Sequence, residues 1–440
     1  MKKVLIISNI FPPIGGTGVQ RNLKFVKYLP QFGWQSFVLT IKSSYLLLKD
    51  ENLLKEIPKK TKIYRTNCLK PKQKNLSWIK FDTAKGKNNN YFKNILNLIL
   101  KFIEKEIVIP DIWIGWLPFA LFTGNKVIKQ NKIDVIFCSG PSFTSFIVGY
   151  ILSKRSKLPL VLDYRDGWFF NTDEFALKYN TVKSFINIQI EKTVTKRASQ
   201  VIFVSDEMLK KYCDKFKFIA DKSIVITNGF DHKDFLNISD SKKKDDNKIT
   251  ISYVGSCDKN REPIASMFLE IIKNILDKKR ESTSNLKVMF TGALPQKLEE
   301  VIKRNNLQNN VQKISFAPHR EALTLMKNSD ILLLLIDSSP NNKVIFSGKL
   351  FEYFGAKKPI ICLGPKDGAA GKAIKKYQRG IIIDYETEKK EEMTQKISSF
   401  IDQVSNDKFK INNDKFLKKY EREELTRQLS ALLDRSMIKN

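Results

Sequence analysis

Short, continuous apolar runs alternate along this chain with stretches whose apolar residues recur every three or four positions, the pattern of an α/β protein with buried parallel strands. Val4 to Ser8 is the first such run. It opens into a turn, Phe11-Pro12-Pro13-Ile14-Gly15-Gly16-Thr17-Gly18, ahead of a helix-period stretch from Val19 to Leu29. Strand, loop and helix in that order make one unit of a parallel sheet. Further strands are expected at Gln35 to Thr40, Val135 to Ser139, Leu160 to Asp163 and Gln200 to Val204, which makes residues 1–238 an open, doubly wound domain. Residues 239–248, SDSKKKDDNK, are a charged run that no core accepts and read as a linker. The strand pattern restarts at Ile249 to Val254 and continues at Lys287 to Thr291, Val311 to Phe316, Ile331 to Ile336, Pro359 to Leu363 and Gly380 to Ile383. Residues 249–415 are therefore a second α/β domain, and 416–440 close the chain as one or two helices.

A stretch from 92 to 122 departs from this regularity. Ile95, Leu96, Ile99, Phe102, Ile103 and Ile107 recur at helical spacing with Lys93, Lys101 and Lys105 among the polar positions, and Trp113 and Trp116 follow. Such a basic, aromatic-flanked amphipathic helix suits an anionic membrane surface; packing on the sheet is the alternative. The total length of 440 residues is more than one core serves, in keeping with two domains. Lys and Arg number 77 against 46 Asp and Glu, a net charge of +31, which favours an anionic partner and is partly the mark of a lysine-rich composition. The lysines are spread along the chain without an aromatic and basic stripe, which argues against nucleic acid. The five cysteines are widely spaced, with no CxxC pair, and fit a reducing, cytoplasmic compartment rather than a disulfide framework or zinc site. No apolar run reaches membrane-spanning length, so the expected state is cytoplasmic, with peripheral attachment at the inner face of the membrane as the further expectation.

Candidate chemistry gathers at the strand ends, where open α/β sheets bind ligands. Gly15, Gly16 and Gly18 permit close backbone approach at the start of a helix, a place suited to phosphate or a sugar hydroxyl, or else only a tight turn. The spacing is not GxGxxG, and Thr40-Ile41-Lys42 supplies no acidic residue for an adenosine ribose, which disfavours NAD. Asp163-Tyr164-Arg165-Asp166-Gly167-Trp168 sets two carboxylates and a guanidinium at a strand end. Asp166 could face an acceptor hydroxyl, while an ion pair of Arg165 with either aspartate is the structural alternative. Ser205-Asp206-Glu207 reads as a helix cap. Gly229, in Thr227-Asn228-Gly229-Phe230-Asp231, is expected at positive φ. In the second domain Gly255 ends a strand ahead of Lys259 and Arg261, a diphosphate clamp or a solvated loop. Lys343 and Lys349 flank Ser347-Gly348, which starts a helix whose N–H groups can meet phosphate, and Glu352 on its first turns can take both hydroxyls of a ribose. His319 stands where a strand gives way to a helix. No metal-ligand cluster is visible, so no metal is expected.

These stretches together, FPPIGGTG, DYRDGW, VSDEM, ITNGFD, the VGS turn, SGKLFEYFGAKKPII and YEREELTRQLSALLD, resemble the nucleotide-sugar glycosyltransferases of family 4. The resemblance implies two Rossmann-like domains facing each other across a cleft, the GT-B fold, and transfer of a hexose from a UDP or GDP sugar to a polysaccharide or lipid-linked acceptor in surface-glycan synthesis, with retention. It implies that Gly15 and Gly16 face acceptor or donor phosphate, Arg261 and Lys349 the diphosphate, Glu352 the ribose, and that His319 lies beside the base. The family's second glutamate, seven intervening residues before Glu352, is replaced here by Val344. A nucleotide-sugar 2-epimerase of the same fold and a non-enzymatic basic membrane- or nucleic-acid-binding protein are the alternatives.

Overall fold

The computed structural model describes residues 1–43, 49–69, 108–168, 182–236, 238, 249–278, 285–339, 341–411 and 414–438. The linker 239–248 and residues 92–107 of the amphipathic stretch lie outside the described residues. The first domain holds β1 (Lys2–Ile7), β2 (Trp34–Ile41), β3 (Lys62–Thr66), β4 (Val135–Gly140), β5 (Leu160–Tyr164), β6 (Gln200–Phe203) and β7 (Ser223–Val225), all parallel, in the order β3-β2-β1-β4-β5-β6-β7. Ile7 of β1 stands in register with Leu39 of β2 on one side and Cys138 of β4 on the other, so the strand order reverses at β1. Helices α1 (Thr17–Tyr28), α2 (Leu117–Asn131), α3 (Thr144–Ser156), α4 (Val182–Arg197), α5 (Asp206–Lys215) and the short α6 (His232–Leu236) accompany it.

The second sheet comprises β8 (Thr250–Val254), β9 (Lys287–Thr291), β10 (Val311–Ile314), β11 (Ile331–Leu335), β12 (Ile360–Leu363) and β13 (Gly380–Ile383), in the order β10-β9-β8-β11-β12-β13. Its helices are α7 (Glu262–Asp277), α8 (Gln296–Arg304), α9 (His319–Lys327), α10 (Gly348–Ala356), α11 (Ala369–Lys376) and α12 (Lys390–Ser405), and α13 (Arg422–Ile438) ends the described chain. These are two doubly wound Rossmann-like domains, as the strand pattern requires.

Both faces of each sheet are buried, which is why the strands read as unbroken apolar runs. In β1, Leu5 and Ile7 pack with Trp116 and Leu152, whereas Val4 and Ile6 pack on the opposite face with Phe25, Val26 and four leucines of α13. Those leucines, Leu425, Leu429, Leu432 and Leu433, share one helical face, and burying each stabilises the docked helix by about 2 kcal/mol. The chain's closing helix thus completes the first domain after the second has been built. The two crossings lie side by side: the Phe230 N–H donates to the Tyr420 carbonyl at 3.1 Å and the Arg422 N–H to the Phe230 carbonyl at 2.8 Å.

The structure decides one open alternative and corrects one expectation. Trp116 is fully buried in the first core, where its indole N–H donates to Thr66 Oγ1 at 2.6 Å, and Trp113 packs partly buried against the same core, so this end of the amphipathic stretch packs on the sheet. Gly229 does not have positive φ; a Cβ there would fall 2.2 Å from the Tyr420 carbonyl, so close approach between the crossings is what requires glycine. No helix among the described residues is long and apolar enough to cross a membrane.

Candidate active site in the interdomain cleft

The carboxyl ends of the two sheets face one another and enclose a cavity of about 380 Å³, lined from the first domain by Thr17, Gly18, Arg165 and Asp166, and from the second by Arg261, Ser347, Gly348 and Glu352. The N-terminus of α10 opens on it. Ser347 caps that helix, its Oγ accepting from the Lys349 N–H at 3.3 Å. One turn on, the Tyr353 hydroxyl donates to the Leu333 carbonyl at 3.0 Å and accepts from the Val254 N–H at 3.2 Å, which ties α10 to β11 and to the end of β8. The helix dipole is thereby fixed toward the cavity, where it favours an anion.

Lys349 reaches back from that helix and donates to the Tyr253 hydroxyl at 2.8 Å, with its ammonium 4.3 Å from the ring centre. Gly255 makes this seat: its φ is +128°, and an added Cβ would stand 2.2 Å from Lys349 Cε. Burial, and then the charge of Arg261, pull the Lys349 pKa down to about 7. An arriving diphosphate would restore the ammonium's charge. Arg261, at the start of α7, pairs with Asp258 and lies 3.7 Å from Asp337. Burial opposes its charge, but Tyr253, Asp258 and Asp337 together hold its pKa above the ordinary value.

Glu352 is buried, with Oε1 at 3.2 Å from His319 Nε2. Burial works against the His319 cation, yet the hydrogen bond and charge of Glu352 raise its pKa. The His319 N–H donates to Asp50 Oδ2 at 3.0 Å, a bond that crosses from one domain to the other.

On the first-domain wall, Asp163 is fully buried and receives Arg21 through two hydrogen bonds of 2.9 and 2.7 Å, with Ser139 Oγ at 2.8 Å. Arg165 forms no such pair; it donates to the backbone carbonyls of Gly140, Pro141 and Gly18 and holds the cleft loops together. With those two groups committed, Asp166 is the carboxylate presented to the cavity. Enclosure between the domains raises its pKa, opposed by Arg165 and Arg261.

Of the candidates from the sequence, Asp166, Arg261, Ser347, Gly348 and Glu352 meet in the lining, and Lys349, Gly255 and His319 lie directly behind it. Three lie elsewhere. Gly15 packs against Asp50, Gly16 precedes α1 at φ +96°, and Lys343 is exposed and paired with Asp367 at 2.7 Å. Among the lining residues that sequence reasoning missed are Arg422 and Gln20. Arg422, from the first turn of α13, is 5% exposed with one guanidinium nitrogen lacking a hydrogen-bond partner among the described residues, and Gln20 is 3% exposed with both amide atoms in that state. Their only sequence signal is a polar residue on an otherwise buried helix face. The carboxylates of Glu56, Asp231 and Asp234 converge, but Lys24 Nζ lies 2.5, 3.0 and 2.6 Å from them and occupies the place of a metal cation.

A model described as Glycosyltransferase Family 4 matches residues 102–234, and one described as Glycosyl transferases group 1 matches 234–416. The chain is 25% identical over 250 residues to a 2-deoxystreptamine N-acetyl-D-glucosaminyltransferase of Niallia circulans, a match that takes in 54% of this chain and 61% of that one, under two thirds of the relative's length. Its fold is similar to that of a glycosyltransferase from Rickettsia africae, at 15% identity and TM-score 0.62 over 100% of this chain and 99% of that one. It is also similar to HepE of Anabaena, solved in complex with UDP, at 16% identity and TM-score 0.59 over 99% and 100% of the two chains. The two sheets and the cleft between them define a protein of the GT-B class. Within that class the chain is a family 4-like glycosyltransferase, the two models matching adjoining regions that run from 102 to 416.

Proposed function

We propose that the cleft transfers a hexose from a nucleotide diphosphate sugar to a hydroxyl of a glycan or lipid-linked acceptor. The observation that carries this reading is the meeting of a capped helix N-terminus, Arg261 and the poised Lys349 around one cavity, with Glu352 on the same helix. In the reaction the bond between the sugar's anomeric carbon and the β-phosphate oxygen breaks, and the acceptor oxygen forms the new one. The acceptor's proton passes out by way of Asp166 or a diphosphate oxygen, and the nucleotide diphosphate leaves. Arg261, the Lys349 ammonium and the α10 dipole stabilise the charge that develops on the leaving group, so the reaction asks no metal of the protein. Glu352 takes the ribose hydroxyls by exchanging its contact with His319. Closure of the domains excludes water.

A UDP-bound fold relative supports UDP as the base to try first, with GDP next. The net charge of +31 supports an acceptor at an anionic membrane face and work on surface glycans, and a retained anomeric configuration is the outcome we assign. Incubation with UDP and GDP sugars and bacterial lipid-linked acceptors, with product followed by mass spectrometry, tests this. Turnover with at least one pair supports it, and no binding and no turnover across the panel contradicts it.

A further inference from the structure

The three side chains that lead into the phosphate-facing helix are all apolar and offer a hydroxyl no hydrogen bond. Val344, Ile345 and Phe346 come directly before the Ser347 cap and line the cleft, and Val204 and Met208 line it from the first domain. The two sides meet there, with Ser205 Oγ donating to the Val344 carbonyl at 3.4 Å. Val204 and Met208 are buried, and Phe346 packs against Phe351 with ring centres 4.6 Å apart. The polar groups that border this wall already hold protein partners. Ser205 Oγ caps Met208, Ser347 Oγ caps Lys349, and Lys211 Nζ donates to Asn341 Oδ1 at 2.7 Å.

A sugar on a phosphate held at the α10 N-terminus sits against the three residues that precede that terminus. A hydroxyl turned toward their side chains loses its water and finds no partner on them, whereas a methyl group fills the same space favourably. From this we infer that the donor carries an apolar substituent on the face of the sugar that meets Val344, either the methyl of an acetamido group or that of a deoxy sugar. The inference rests on the donor-site reading above. It concerns which sugar is taken, not whether a nucleotide binds.

The test measures kcat/KM, or release of nucleotide diphosphate, for UDP-glucose, UDP-N-acetylglucosamine and a dTDP-6-deoxyhexose, alongside calorimetric binding of UDP and dTDP alone. We expect a methyl-bearing sugar to be preferred over UDP-glucose by at least about tenfold, the scale of discrimination by one apolar group in a pocket. The N-acetyl and deoxy arms tell the two sources of the methyl apart. Val344→Glu should reduce or invert the preference, and the near-isosteric Val344→Thr, which keeps the shape of this half-buried turn, should lower it in the same direction. Equal or better use of UDP-glucose by the wild type, or an unchanged ratio in folded Val344 variants, overturns the inference while nucleotide binding persists. Absence of nucleotide binding itself overturns the donor-site reading and this inference with it.

Discussion

Lys349 gives the most discriminating perturbation of the site, because its charge is suppressed while the cleft holds no anion. A fall in pKa from 10.5 to about 7 corresponds to on the order of 5 kcal/mol against the charged form, caused first by burial and next by Arg261. Above the folded-state value and below the unfolded one, roughly pH 7 to 10.5, the unfolded chain binds a proton that the folded chain does not. Stability of the free protein should therefore rise with pH across that window. Donor affinity should move the other way. A bound diphosphate needs the ammonium, so affinity falls as pH climbs past 7, by up to about 100-fold between pH 6 and pH 9 if only the charged form binds. Lys349→Met should remove both trends, leaving weak, pH-independent binding and a free protein no less stable than the wild type near pH 7. Titration calorimetry with a UDP-sugar, whose diphosphate does not itself titrate in this range, reads the affinity, and urea unfolding at the same pH values reads the stability. A wild-type affinity that stays level from pH 6 to 9, or tracks that of Lys349→Met, would show that the Lys349 ammonium does not hold the diphosphate.

Other residues extend the test. Glu352→Gln should weaken nucleotide diphosphate binding by roughly tenfold through loss of a charge-assisted bond, and should lower the His319 pKa, which the imidazole's NMR titration reports. Asp163→Asn leaves the Arg21 guanidinium buried without its counter-ion and should cost about 3–5 kcal/mol in urea unfolding. Gly255→Ala should displace Lys349 and weaken donor binding, whereas an added Cβ at Gly348 meets nothing within 4 Å, so Gly348→Ala is the control whose stability should stay near that of the wild type.

The sheets were legible because their central strands are buried on both faces; the six strands of the second domain coincide with the six expected from the sequence to within a few residues. In the first domain β3, KIYRT, and β7, SIV, went unread. Both are edge strands, short and only partly covered, so neither carries a continuous apolar signal. Within the site, the helix that starts at Ser347-Gly348 was readable from local chemistry alone. Asp163 was not: its partner Arg21 lies 142 residues away, and only the fold shows that this carboxylate serves the core and leaves Asp166 to the cleft. Arg422 was hidden for a similar reason, since it reaches the cavity by the return of α13 to the first domain. Trp116 left both readings open because an indole suits a membrane interface and a core equally well until its N–H finds Thr66.

A nucleotide diphosphate is expected between the two sheets with its phosphates at the start of α10. A structure with UDP or GDP bound tests this most directly. The β-phosphate should lie within hydrogen-bonding distance of the Gly348 N–H and of Arg261 or Lys349, with the ribose hydroxyls on Glu352. Phosphates seated instead on the Gly15-Gly16 loop, or a nucleotide that leaves Glu352 bonded to His319, would contradict it.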